Sequence, residues 1–349
     1  VNILIIIEKI KNDLFLYLNS LLSMSLNRPI WKLRDWIDYE SLDWSLLCFN
    51  ERAIELLSKN LDKIHWNYLS SNINGIELLI ANYNEINWRL LSKNENGICL
   101  LNKNLDKIDW SFLSKNPNAI QILSENLDKI SWHYLSSNPN AMKLLSENPD
   151  KIHWSELSSN PNPEAIKILK ENKNKIDWYY LSSNPNPEAI KLLSENRDKI
   201  NWCELSSNSN PEAIKILSEN EDEINWRYLS ANPNSEAIKL LSENPDKIDW
   251  YYLSSNPNPE AIKLLSENQD KIHWYYLSSN PEAINLLSEN KNNIDWSELS
   301  SNPAIFTLDY KAMRIANQDM YENLIKEVMK PSRVFKNPDY DYIEELFGD

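Results

Sequence analysis

Arg197 to Asn220 reads RDKINWCELSSNSNPEAIKILSEN, and near copies of this stretch fill most of the chain. Its tryptophan recurs at Trp44, Trp66, Trp88, Trp110, Trp132 and Trp154 in steps of 22 residues, then at Trp178, Trp202, Trp226, Trp250 and Trp274 in steps of 24, and at Trp296 after 22 more. Self-similarity at such a period marks stacked units, none of which can bury its apolar face alone. The expected fold is all-α, a right-handed-type α-solenoid of about twelve two-helix repeats over residues 44–302, with capping ends. At 8 to 10 Å between packed helices it would run roughly 100 Å along its axis.

The residue before each tryptophan is Asp, Asn or Ser in nine of twelve copies, which suits a helix N-cap. His65, His153 and His273 fill the other three caps. The residue two before is Ile in every copy but the first, where it is Leu42, and the residue three after is always Leu, as in a hydrophobic staple. Glu156, Glu204 and Glu298 stand where capping-box glutamates belong. An asparagine six after the tryptophan, from Asn50 to Asn302, is expected to end the helix in the left-handed conformation, since Gly75, Gly97 and Gly348 are the only glycines. The second helix, PEAIKLLSEN in its fullest form, opens with Asn as cap and Pro as first residue, as at Asn186 and Pro187, Asn210 and Pro211, or Asn258 and Pro259. Both helices are too short to persist alone, so packing must hold them, with the tryptophan row as the expected spine.

Outside the beat, residues 24–43 read as an N-terminal cap and residues 303–349 as C-terminal capping helices with an acidic tail. Residues 1–23 have two readings. Val1 and Met24 fit upstream sequence read through in frame, whereas the apolar Ile3 to Ile7 fits an amphipathic helix capping the array. Glu8, Lys9, Lys11 and Asp13 interrupt that apolar run well short of a membrane span or signal peptide.

Composition narrows the function. A formal charge of −15 repels a phosphate backbone. Lys107, Lys129, Lys151, Lys199, Lys247 and Lys271 form a row that invites single-stranded RNA binding, but Asp106, Asp128, Asp150, Asp198, Asp246 and Asp270 neutralise it one by one. The four histidines are spread one to a repeat, and Cys48, Cys99 and Cys203 follow no zinc or disulfide spacing, so neither a metal nor a cofactor is expected. Serines sit at recurrent LSSN and LSEN positions, carboxylates are periodic, and no glycine loop could cradle a phosphate; an enzyme is not expected.

What varies between copies is the first and second position after each tryptophan, on the outward face of its helix. These positions hold Arg89, His133, Tyr134, Tyr179, Tyr180, Arg227, Tyr228, Tyr251, Tyr252, Tyr275 and Tyr276. A constant scaffold bearing a variable face rich in Tyr and Arg is how repeat proteins present a protein-binding surface. The competing explanation is that each tyrosine packs on the next repeat.

The units LSSNPNAMKLLSENPDKIHW, residues 135–154, and LSSNPNPEAIKLLSENRDKINW, residues 181–202, resemble the tryptophan and Asn-Pro repeats of giant nucleocytoplasmic DNA virus proteins of the mimivirus type. The opening LRDWIDYESLDW and the closing NPAIFTLDYKAMR with KPSRV are similar to the ends of those proteins, so the resemblance covers Trp31 to Val334. The segment 1–23 and the two-residue insertions depart from that pattern. The resemblance implies a helical repeat fold and no defined activity. Taken with the variable face, the expected function is a viral scaffold that binds an unidentified protein partner in the host cytoplasm or nucleus, with a structural component carried in the virion as the alternative.

Overall fold

A computed structural model of the chain describes residues 29–316, together with 318 and 326. The segment 1–23 and the acidic tail expected at 339–349 lie outside the described residues. The chain divides into a repeat unit, Arg34–Ile305, and a second unit made of Val1–Leu33 and Phe306–Asp349.

The repeat unit is an α-solenoid of twelve copies. Each consists of a tryptophan helix such as Trp202–Ser207, a second helix such as Pro211–Ser218, and a 3-10 turn such as Arg197–Lys199 ahead of the next copy. Eight caps receive amide bonds from the first turn: Asp43, Asn87, Asp109, Asp177, Asn201, Asn225, Asp249 and Asp295. Ser131, His65, His153 and His273 make no such bond. Asn162, Asn186, Asn210, Asn234 and Asn258 cap the longer second helices.

The asparagine that ends each tryptophan helix is not left-handed. Asn208 lies at φ −73°, ψ 119°, and among the described residues no φ is positive. Its real task is to join repeats. Asn208 Nδ2 donates to Ser182 O at 2.9 Å and to Asn184 O at 3.0 Å in the preceding copy, and its Oδ1 accepts from Asn210 N. The capping-box reading also fails, because each cap amide is taken by a serine of the preceding repeat. Asn201 N donates to Ser182 Oγ at 2.9 Å, and Ser182 Oγ itself donates to Trp178 O at 2.7 Å. In the first repeat Cys48 stands in for that serine: its Sγ donates to Trp44 O and accepts from His65 N, and burial pushes its thiol pKa up.

The ladder has no end. All twelve asparagines, Asn50 to Asn302, donate two such bonds at 2.8 to 3.3 Å to the repeat before them, and for Asn50 that repeat is the last one, through Ser300 O and Asn302 O. Asp43 N donates to Ser300 Oγ at 2.8 Å, Ser297 Oγ donates to Asp43 Oδ2 at 2.7 Å, and Arg34 reaches Ile305 O through its backbone and Ala304 O through its Nε. Helices Trp44–Leu47 and Trp296–Ser301 pack as any two neighbours do. The repeat unit is therefore a closed ring, and the expected length along an open axis becomes its circumference.

The core also differs from expectation. The leucine three after each tryptophan is fully buried in every copy, together with the Ala and terminal Leu of most second helices, whereas all twelve repeat tryptophans are only half-buried. Each indole sits at the flank of its repeat. Several are covered there by side chains from a neighbouring turn, as Tyr39 and Lys63 cover Trp44 and Tyr83 and Lys107 cover Trp88. Leucine fills the narrow space between helices because it is compact and has no polar atom to satisfy.

In the second unit, strands Trp31–Leu33 and Phe306–Leu308 pair antiparallel, Lys32 opposite Thr307, and residues 310–316 are helical. The sequence pattern predicted helix where Phe306–Leu308 is strand. Three residues alternating between faces are too few to show a period of two.

Leu205→Ala and Asn208→Ala should each cost about 2 to 5 kcal/mol, the first through a cavity and the second through orphaned buried carbonyls, whereas the half-buried Trp202→Ala should cost less, about 2 kcal/mol; urea unfolding of the three variants checks the order. At the seam, burial works against the charged Asp43 carboxylate, but bonds from Ser297, Leu46 and Ser45 outweigh it and hold the pKa below the ordinary 3.8. A depressed folded-state pKa stabilises above the unfolded value and is lost as pH falls through the folded one. Amide exchange at Asp43, Ser45 and Leu46 should thus accelerate on acidification below that ordinary value, and Asp43→Asn should remove this pH dependence.

Candidate protein-binding face

The exposed flank of the tryptophan helices carries the variable positions, and the ladder determines which of them meet. Successive repeats are offset so that the first position after one tryptophan faces the second position after the next. Six such diagonals are filled by interacting side chains. Arg89 lies over the Phe112 ring at 5.0 Å and 3.6 Å from Asp109. His133 Nε2 is 3.6 Å from Glu156 and its ring 4.3 Å from His153. The Glu204 carboxylate beside Tyr179 and the Glu298 carboxylate beside Tyr275 hold both phenol pKa values above the usual tyrosine range. The Arg227 guanidinium bonds the Tyr252 hydroxyl and lies 4.6 Å from its ring, while the Tyr251 and Tyr276 hydroxyls bond to each other.

The structure thus brings Arg227, Tyr251, Tyr252, Tyr275 and Tyr276 into one continuous patch, which His273 joins at 5.1 Å from Tyr251. Arg89 stands apart from this patch with its own partners. To this extent tyrosine does pack on the next repeat. On three other diagonals a small first position precedes an exposed tyrosine: Ser111 precedes Tyr134, Ser155 precedes Tyr180, and Cys203 precedes Tyr228. These tyrosines are 38 to 41% exposed, and among the described residues their hydroxyls have no hydrogen-bond partner.

Sequence reasoning missed Glu156, Glu204 and Glu298 as members of this face, because it assigned them to their own helix caps. It also missed Phe49 and Tyr68, which stack at 4.5 Å. The diagonal offset, 25 residues across a 24-residue step and 23 across a 22-residue step, is the signal that would have found the glutamates. Among the described residues no three His, Cys, Asp or Glu side chains gather to hold a metal ion, and no helix is long and apolar enough to cross a membrane.

Comparison of the chain with known protein families, with curated proteins and with solved structures finds no match.

The paired diagonals should be visible in titration. Tyr179, Tyr251 and Tyr275, whose pKa values are raised mainly by Glu204, Tyr276 and Glu298 beside them, should ionise above the usual tyrosine range when followed by NMR of ring-labelled tyrosine. Glu204→Gln should lower the Tyr179 midpoint and leave Tyr251 unmoved.

Proposed function

We propose that this protein is a non-enzymatic scaffold that grips a protein partner along the aromatic face of its ring. The observation that carries the reading is the set of exposed phenols, Tyr134, Tyr180 and Tyr228, each beside a small neighbour and with no hydroxyl partner among the described residues, on a backbone locked by the asparagine ladder. A phenol held on a rigid support loses little conformational entropy on binding, and Tyr and Arg are enriched where interfaces concentrate their energy. The surrounding patch of Tyr179, Tyr251, Tyr252, Tyr275, Tyr276 and Arg227 supplies pre-positioned polar contacts. The resemblance to repeat proteins of giant DNA viruses supports a partner from the host cell, met in its cytoplasm or nucleus.

The experiment is affinity capture from host cells with three proteins. The wild type should capture a reproducible partner. The triple variant Tyr134→Ser, Tyr180→Ser, Tyr228→Ser should reduce its capture at least about 30-fold, the effect of one lost anchor of about 2 kcal/mol, while its unfolding curve stays that of the wild type because the three residues are exposed. A control variant, Lys191→Ser with Lys215→Ser on the second helices, should bind as the wild type. Undiminished capture by the triple variant would remove this face from consideration.

A further inference from the structure

The ring contains its own model of a ligand. In four copies the lysine three before a tryptophan lies over the indole of the preceding repeat: Lys63 over Trp44 at 4.4 Å, Lys107 over Trp88 at 4.7 Å, Lys129 over Trp110 at 4.8 Å and Lys271 over Trp250 at 4.6 Å. An ammonium is drawn to the electron-rich ring face, indole most strongly. In two further copies, Lys151 and Lys199 turn to the adjacent Asp150 and Asp198. Six of the eight lysines at this position thus meet either an indole or a neighbouring carboxylate.

In two copies that register position is acidic. Glu85 takes it opposite Trp66 and Glu223 opposite Trp202. The second case is the stronger. Glu223 and Trp202 are 21 residues apart, the same separation as Lys271 and Trp250, and Glu223 ends the turn Glu221–Glu223, which is acidic at all three positions. Most other turns of this type carry a lysine there. Among the described residues, Glu221, Asp222 and Glu223 form no ion pair, and no cation lies over the half-buried Trp202 ring.

We propose that Trp202 and Glu223 form a receptor for a lysine side chain of the partner protein, which takes the place that the chain's own lysine takes elsewhere in the ring. The ammonium rests on the indole face and pairs with the Glu223 carboxylate, and Glu221 and Asp222 add to the local negative potential. The charge of −15 on the whole chain favours the approach of a basic segment. The site names a chemistry for the partner that the tyrosine face does not, and it stands without that face.

The probe is the peptide acetyl-(Lys)5-amide, with its norleucine counterpart as control, titrated into the full chain carrying 15N-labelled tryptophan. The indole resonance of Trp202, assigned through Trp202→Phe, should shift with the lysine peptide and stay still with the norleucine peptide, while that of Trp250, already covered by Lys271, stays still with both. Glu223→Lys installs the residue that other copies carry here, so it should fold as the wild type and abolish the shift. Glu223→Gln should weaken binding several-fold. The Tyr134, Tyr180, Tyr228 triple variant should retain the full Trp202 response, which separates this site from the reading above. An unmoved Trp202 resonance, an equal response to norleucine, or an undiminished response in Glu223→Lys would overturn the proposal.

Discussion

A buried side-chain amide at each junction holds the molecule together. A carboxamide taken out of water is costly unless its donors and acceptor are all met. Here each is met in a way that demands the neighbouring coil: two carbonyls of the preceding repeat accept from Nδ2, and a backbone amide of its own repeat donates to Oδ1. Apolar packing alone would let short helices slide or rotate on one another. The asparagine permits one register, and the serine relay beneath it, from cap amide to hydroxyl to tryptophan carbonyl, repeats the same constraint a turn away. Leucine supplies much of the hydrophobic driving force, and the amides specify the geometry.

Much of this was legible in the residues. The period, the two helices, the Asp and Asn caps and the Asn-Pro starts all rest on local chemistry, which a sequence displays directly. What escaped notice was whatever depends on the relation between coils. Asn208 in isolation looks like a helix terminator; only the next coil shows that its amide is a cross-link. Glu204 in isolation looks like a capping-box residue, but the serine of the preceding repeat has already taken the amide it would have bonded. Trp202 looks like the largest core residue, yet its size is what keeps it at the flank, because a space one helix wide accepts leucine more readily than indole.

The face was legible in position and not in pairing. Most of the variable residues are exposed after their tryptophan, whereas Tyr252 and Tyr276 are half-buried. Their diagonal coupling follows from the offset between coils, and it separates tyrosines that are occupied with neighbours from those that are not. Tyr251 and Tyr276 spend their hydroxyls on each other. Tyr180, set against Ser155, does not.

Closure also restricts how such a chain can change. An open array accepts another copy at either end, since its last interface is always vacant, and families of that kind drift in length by duplication. Here the turn contributed by each copy must sum to a full circle, about 30° apiece when twelve share it evenly. Losing or gaining one copy would leave Asn50 without Ser300 and Asn302, or force every junction to a new angle that the buried amides resist. The two-residue insertions that lengthen five successive steps leave the ladder unbroken, so the chain can vary around its circumference while its copy number stays locked.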